Sequence, residues 1–408
     1  MKFGGSSVAD ADKIRNVARR IAAAAESGDA VVAVVSARGK TTDGLVQLAN
    51  EISDRPDPRE MDMLLSTGER ISCALMAMAL HDLGHQAVSF TGSQAGIFTD
   101  SAHTKARIVE IRADRIRATL DDGNIALVAG FQGMSIDQKN VTTLGRGGSD
   151  TTAVALAAAI GADVCEIYTD VTGVFTADPR IVPDAVKLPR VSHEEMLEMA
   201  AMGSKVLALR SVEFARNYDV PLHVRSSFAP DEGTWIIKET PDMEQAIVSG
   251  IAHKSDEAKI TITGVHDQPG VAASIFTALA DELINVDTII QNMGTDGRAD
   301  MSFTLPLDEL GRALHTLDRI KGSLDYSALT ADDQIGKVTL VGAGMKSNPG
   351  IAAKMFRVLA DKDINILMID TSTIRITVVI NRRDVERAVR ALHDAFELEA
   401  EAARRAGV

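Results

Sequence analysis

Five short blocks of sequence occur twice, in the same order, in the C-terminal part of this chain. Lys259-Ile-Thr-Ile-Thr-Gly264 matches Lys337-Val-Thr-Leu-Val-Gly342, Pro269-Gly270 matches Pro349-Gly350, and Ala272-Ala273 matches Ala352-Ala353. Leu279-Ala280-Asp281 then matches Leu359-Ala360-Asp361, and Ile284-Asn285-Val286 matches Ile364-Asn365-Ile366. Each copy reads strand, Pro-Gly turn, helix, Ile-Asn turn, strand. Five matched blocks in the same order make a chance echo improbable, so this is an internal repeat.

The N-terminal part has a different character. Residues 30–36, 125–129 and 164–168 are apolar runs of the sort found in strands covered on both faces. Helical patterns over 10–25, 69–83, 106–120 and 151–160 separate them. Strands alternating with helices predict an α/β fold with a mostly parallel sheet sandwiched by helices. Pro230, Gly233 and Pro241 interrupt the pattern across 226–245, which places the main boundary there.

At 408 residues the chain is too long for one ordinary core. Aromatic residues make up 4% of the chain, so Ala, Val, Leu, Ile and Met must build the interior. A net charge of −14 argues against a general nucleic-acid binder, which needs a basic face. It does not argue against anionic small substrates, because a local cluster of Lys and Arg can dominate the field in a cleft. Cys73 and Cys165 fit neither a disulfide framework nor a zinc-ligand spacing. The apolar stretches 71–80 and 153–160 are too short to span a bilayer, and no secretory signal is visible. A cytoplasmic protein without a membrane partner is the expectation.

Several loops suit anions. Lys2-Phe3-Gly4-Gly5-Ser6-Ser7 precedes an amphipathic helix, and adjacent glycines let backbone N–H groups approach a phosphate that the lysine could reach. This is no Walker A loop, and a plain tight turn accounts for it at least as well. Ser36 and Thr41-Thr42 follow the first apolar strand, where open α/β sheets bind ligands; an ordinary strand-to-helix loop reads equally well there. Glu69, in Thr67-Gly-Glu-Arg70, could receive an ammonium group, although pattern alone favours its complementing the helix dipole.

The segment Thr143-Leu-Gly-Arg-Gly-Gly-Ser-Asp-Thr-Thr152 says more. Gly147 and Gly148 make a close-approach loop, and Asp150 or Thr151 would serve as N-cap of the following helix. No capping argument requires Arg146, whose guanidinium beside a helix start suits a carboxylate. Thr169-Asp170 and the loop Phe175-Thr176-Ala177-Asp178-Pro179-Arg180 could seat a nucleotide or form a surface loop. Lys205, after the helix 194–202, could reach phosphate or stand in solvent.

Together, Lys2-Phe-Gly-Gly-Ser-Ser, Ser36-Ala, Thr41-Thr42, Thr67-Gly-Glu-Arg70, Gly130-Phe-Gln-Gly133, 144–152, Thr169-Asp170, 175–180 and Gly203-Ser-Lys205 resemble aspartate kinases of the amino-acid kinase family. The likeness covers essentially the entire chain. The C-terminal copies resemble that family's paired ACT domains, α+β units with a βαββαβ plan. The resemblance implies a catalytic domain over 1–240 and a regulatory region over 241–408. Its ACT repeats would cover about 259–320 and 337–398, with a strand at 246–252 completing the second.

By the same resemblance the chain transfers the ATP γ-phosphoryl group to the β-carboxylate of L-aspartate, giving 4-phospho-L-aspartate. That is the first step toward lysine, threonine and methionine. Lys2, Asp150 and Lys205 would be catalytic, with Asp150 ordering the two lysines. Thr42, Glu69, Arg146, Gly147, Gly148 and Ser149 would hold aspartate. Lys2, Phe3, Gly4, Gly5, Ser36, Thr169, Asp170, Lys205 and all of 175–180 would line the ATP site. Magnesium would travel with ATP, and neither a tightly bound cofactor nor a resident metal is implied.

Lysine and/or threonine would act as effectors through Asp267, Asn285, Val286, Asp287 and Gln291 in the first copy. In the second copy the contacts would be Ile351, Ala352, Asn365 and Ile366. A homo-oligomer through the ACT domains, or an α/β hetero-oligomer with a separate regulatory chain, is implied. A catalytically impaired amino-acid-binding regulatory subunit is the alternative. Three features depart from the family pattern: no apolar strand precedes Lys2, Arg38 stands for Met, and Thr373 for Glu.

Overall fold

A computed structural model of the chain describes residues 1–240, 248–294, 297–348 and 350–399. Its described residues form two compact units, one comprising 1–175 and 186–240, the other 176–185 and the described residues from 248 to 399.

The first unit begins with β1 (Lys2–Phe3), α1 (Ala11–Glu26), β2 (Val32–Val35), α2 (Thr41–Ile52), α3 (Pro58–Leu65), α4 (Thr67–Asp82) and β3 (Ala87–Phe90). It continues with β4 (Ile97–Thr99), β5 (Ile108–Ile111), α5 (Asp114–Asp121), β6 (Ile125–Ala129), β7 (Gln132–Ser135), β8 (Val141–Thr143) and α6 (Gly148–Ile160). β9 (Cys165–Thr169), β10 (Arg190–Ser192), α7 (His193–Ala201), α8 (Leu209–Tyr218), β11 (Leu222–Ser226) and β12 (Thr234–Ile237) complete it.

Eight strands make the main sheet, in the order β10-β12-β11-β9-β1-β2-β6-β3. All neighbours run parallel except β11 with β12. Although β1 has two residues, it is central: Lys2 pairs with Val34 and Ile167, and Phe3 with Val35 and Tyr168. Met1 extends the ladder, its carbonyl accepting from the Val34 N–H at 2.8 Å. Lys2 is therefore held by strand pairing on both sides. The chain leaves β1 toward β2 on one side and reaches β9 on the other. The carboxyl ends of these strands thus flank a topological switch point, the usual ligand crevice of such sheets.

α1 and α4 cover one face, where Phe3, Ile14, Val17, Ile21, Met76, Leu80 and Leu127 form a buried cluster. Together α3 and α4 make a helical run, Pro58–Asp82, long and apolar enough by length and composition to cross a membrane. Half of that apolar window is buried inside the protein, and Cys73, Met76 and Leu80 belong to its core.

Two expectations change. The pattern over 106–120 suggested one helix, but Ile108–Ile111 is a strand pairing antiparallel with β4, and the helix starts at Asp114. β4, β5, β7 and β8 form a second, four-stranded sheet that the apolar periodicity did not reveal. Nor does α6 begin at an Asp150 or Thr151 cap. Left-handed Gly147, with φ of 70°, occupies the N-cap position, and Asp150 lies inside the first turn.

In the second unit the elements are β13 (Gly250–His266), α9 (Val271–Asp281), β14 (Asp287–Met293), β15 (Arg298–Pro306), α10 (Leu310–Arg319) and α11 (Lys321–Leu324). β16 (Ala328–Val341), α12 (Ile351–Asp361), β17 (Ile366–Thr371), β18 (Arg375–Asn381) and α13 (Val385–Ala395) follow. They form an antiparallel sheet ordered β14-β15-β13-β16-β18-β17. β13 serves both repeats. Gly250–Lys254 pair with Val341–Lys337 in the second, whereas 259–263 pair with Asp332–Ala328 and 257–262 pair with β15 in the first. Residues 246 and 247 of the expected completing strand, and Pro349 of the second Pro-Gly turn, lie outside the described residues.

Each repeat has its own core. Ile260, Ile262, Ile275, Leu279, Met301 and Phe303 build the first; Val338, Leu340, Met355, Leu359, Val378 and Leu392 build the second. Ala177, Ile181 and Val182 belong to that second core, and Thr176 Oγ1 lies 2.9 Å from His393 Nε2. Those contacts are why 176–185 pack with the C-terminal unit instead of with the sheet that precedes them.

Candidate active site

The candidate site lies at the carboxyl ends of β1, β2, β6 and β9. Lys2 Nζ, on β1, sits 2.6 Å from Asp150 Oδ1 in the first turn of α6, with side chains 10% and 14% exposed. The ammonium thus faces the N-terminal turn of a 13-residue helix, whose dipole also favours anions. Phe3 stacks on Tyr168 of β9 with ring centroids 4.8 Å apart, which braces β1 against its neighbour.

Of the Gly4-Gly5 pair, Gly5 is required by close packing. A Cβ on Gly5 would lie 2.7 Å from the Ala37 carbonyl oxygen, and the Gly39 N–H donates to Gly5 O at 2.9 Å. The phosphate-like loop after β1 and the Ser36–Gly39 loop after β2 are therefore one packed edge. Glu69 joins it from α4: its Oε1 accepts from the Ala37 N–H at 3.1 Å. The residue is 3% exposed, and Oε2 is buried without a hydrogen-bond partner among the described residues. Burial pushes the Glu69 carboxyl up to about 7, against the opposing hydrogen bonds from the Glu69 and Ala37 N–H groups. A buried carboxylate with one oxygen unmet is more than a helix-capping group.

Opposite, Gly130 after β6 lies so near α6 that a Cβ there would stand 2.8 Å from Ser149 Oγ. Phe131, left-handed at φ of 68°, donates its N–H to Thr152 Oγ1 at 3.1 Å. Gly147 packs on Ala208, leaving no room for a side chain. Arg146, just before, is exposed and has no ion-pair partner among the described residues.

Lys2, Gly4, Gly5, Ser36, Glu69, Ser149 and Asp150 are thus brought into one contiguous set, with Thr42 half-buried in the first turn of α2. Thr169 Oγ1 donates to Asp170 Oδ1 at 3.1 Å at the end of β9. Phe175 bridges to Lys187 within the first unit. Lys205 is exposed in the turn after α7 and makes no ion pair among the described residues. Thr176, Ala177, Asp178, Pro179 and Arg180 belong to the second unit, where Thr176 and Ala177 are buried and Asp178 receives the Arg180 guanidinium.

In the second unit Lys337 is fully buried, with Nζ 2.8 Å from Glu257 Oε2 and 2.7 Å from Asp287 Oδ2. Burial works to raise the Asp287 carboxyl, but the Lys337 ammonium outweighs it and holds Asp287 below the usual carboxylate range. Asp267, Asn285, Gln291 and Asn365 are exposed, while Val286, Ile351, Ala352 and Ile366 pack against the two repeat cores. Thr373 is exposed between β17 and β18.

Polar groups to which pattern reading gave no role include Asp62, Gln132, Thr143 and Arg210. For Asp62 the one local signal was a carboxylate between apolar neighbours, Met61-Asp62-Met63. Arg38 turns away from the crevice: its Nη2 donates to Ala9 O at 3.1 Å. Arg38→Met is expected to keep kcat and both KM values within about 2-fold, as for a substitution away from bound ligands. A tenfold rise in the KM for ATP would instead place Arg38 on the nucleotide.

The amino acid kinase family model matches residues 1–226, and the ACT domain model matches 260–319 and 338–396. An aspartokinase of Mycolicibacterium smegmatis is 56% identical, over 97% of this chain and 95% of its own length. That of Corynebacterium glutamicum is 54% identical over the same shares. The crystal structure of E. coli aspartokinase III in complex with aspartate and ADP aligns over 97% of this chain and 98% of its own, at 26% identity and a TM-score of 0.82. The chain belongs to the aspartokinases, amino acid kinases that carry C-terminal ACT domains. Its first unit is accordingly that of an ATP-dependent kinase, and the reading as an impaired regulatory subunit is not favoured.

Proposed function

We propose that this chain transfers the γ-phosphoryl group of ATP to the β-carboxylate of L-aspartate, forming 4-phospho-L-aspartate. The observation that carries the site assignment is the Lys2–Asp150 pair, held at the switch point of the sheet beside the N-terminus of α6. The acceptor carboxylate is already ionised at neutral pH, so no general base is needed. Catalysis consists of holding two anions in line while positive charge offsets their repulsion.

In this reading Lys2 meets the transferring phosphoryl group and Asp150 aims it. Lys205, in its exposed turn, is the second phosphate cation. Glu69 receives the substrate ammonium through its unmet oxygen; Arg146 grips a substrate carboxylate, and Ser149, Thr42, Gly147 and Gly148 complete the aspartate seat. Ser36, Phe3, Gly4, Gly5, Thr169, Asp170 and Phe175–Arg180 line the nucleotide. Magnesium enters bound to ATP as part of the substrate.

The ACT repeats are read as the sensor of lysine and/or threonine, through the residues named for each copy, and as the oligomer contact. E. coli aspartokinase III has been crystallised with lysine and aspartate, a structure that aligns here with a TM-score of 0.72. A cytoplasmic homo-oligomer fits this role, and pairing with a separate regulatory chain is the variant arrangement.

The test is acyl-phosphate formation from ATP, trapped with hydroxylamine, using aspartate, glutamate and acetylglutamate in turn. Product with aspartate alone is expected. Activity only on another acid would reassign the substrate. Rates unchanged by lysine and threonine, singly or together, would remove the sensor reading.

A further inference from the structure

The first unit buries a carboxylate that the phosphoryl-transfer reading leaves unused. Asp62, on α3, is fully buried. It accepts from Thr143 Oγ1 at 2.5 Å and from the Thr104 N–H at 3.1 Å, and its Oδ2 lies 2.6 Å from His103 Nδ1. A carboxylate without water must be met by several donors, and here all of them come from two short segments, 103–104 and the end of β8.

Those segments are locked to each other. The Ala106 N–H donates to Thr143 O at 2.9 Å, and Arg210 of α8 donates to Leu144 O at 2.8 Å and Ala106 O at 3.1 Å. Gly145, left-handed at φ of 76°, lies where a Cβ would be 3.1 Å from Thr104 O. The next residue is Arg146. Asp62 therefore fastens the loop that carries Arg146 to α3.

The same helical run carries Glu69, seven residues later on α4. A second tie lies between the two helices. Gln132 of β7, which pairs with Thr143, donates from Nε2 to Ser66 O at 2.9 Å and accepts from Arg70 Nε at 3.2 Å.

We propose that Asp62 is a positioning residue for the amino-acid substrate. Acting through Thr143, it sets the separation between Glu69, which takes the ammonium group, and Arg146, which takes a carboxylate. This rests on the aspartate-seat reading above. A shift of about 1 Å in such a group can cost about 10²-fold, so a buried anchor one residue removed from the Leu144-Gly145-Arg146 turn matters to substrate affinity.

Asp62→Asn keeps the volume but presents an NH₂ donor to one of the three donors. It is expected to raise the KM for aspartate roughly 10-fold, with kcat and the KM for ATP within about 2-fold, the pattern of lost substrate positioning. Thr143→Val should act in the same direction without touching the carboxylate, and Thr143→Ser, which restores the hydroxyl, should recover the wild-type KM. A plain structural role predicts a lowered melting temperature with both KM values moving together, and that result overturns the proposal. So does a wild-type KM for aspartate in Thr143→Val, which decides the matter alone if Asp62→Asn does not fold. Failure of the aspartate-seat reading itself appears separately, as a wild-type enzyme that makes no acyl phosphate from aspartate; the proposal falls with it.

Discussion

Lys2→Met is expected to lower kcat by about 10²- to 10³-fold, the range found when one preorganised charge-stabilising group is removed. Methionine keeps the length of the side chain, and the backbone of Lys2 stays pinned between Val34 and Ile167, so the sheet survives. What disappears is the ammonium 2.6 Å from Asp150. Asp150 is then a mostly buried carboxylate facing the incoming phosphoryl group with nothing to offset it. The loss therefore has two parts, a missing attraction and an exposed repulsion. Asp150→Asn should be milder, because Lys2 keeps its charge and loses only its aim. The double variant should be less impaired than the product of the two singles, since removing Asp150 also removes the repulsion that Lys2→Met uncovers. Hydroxylamine-trapped acyl phosphate at saturating ATP and aspartate measures all three. A Lys2→Met enzyme that keeps a third of its kcat would take Lys2 out of the chemistry.

The loops that build this site were legible because each is a local pattern: glycines and hydroxyl residues at the end of an apolar run. The strand 125–129 and the helix around 10–25 were likewise readable from periodicity alone. What local pattern could not show is who meets whom. Glu69 read as a capping residue because its partner, the Ala37 N–H, is 32 residues away. Asp62 was passed over because Thr143 is 81 residues distant.

The 175–180 loop was assigned to the nucleotide as one piece. Its one hydroxyl, on Thr176, meets His393, 217 residues along the chain, and that contact carries 176–180 into the C-terminal unit. The helix expected over 106–120 was misread. Ile108-Val-Glu-Ile111 carries too few residues for its period to speak, and its pairing with β4 decided the outcome. Repeats were the most readable feature, because a repeat compares the chain with itself and needs no long-range partner.

Glu69→Gln is expected to raise the KM for aspartate at pH 8 by about 10²-fold, the scale of removing one partner from a buried charge pair, and yet to make the ligand-free protein more stable. Both follow from the raised carboxyl. In the fold Glu69 titrates near 7, against an ordinary value of 4.5, because burial disfavours the charged form. The folded protein therefore holds this proton more tightly than the unfolded chain does. Its stabilising contribution is complete below the ordinary value and is lost as pH rises from about 4.5 through about 7. At pH 8 the ionised group costs on the order of 3 kcal/mol, a cost that the ammonium group of the substrate would offset by pairing with the unmet oxygen. Glutamine does not ionise, so the melting temperature of the ligand-free variant should exceed that of wild type at pH 8 and converge with it near pH 5. Wild-type KM for aspartate should fall as pH rises through 7, since only the ionised form meets an ammonium ion, and Glu69→Gln should show no such fall. Thermal melts at the two pH values and KM across the range test each half separately. A variant less stable than wild type at pH 8, with an unchanged KM, would return Glu69 to the helix-capping role that its position in the first turn of α4 first suggested.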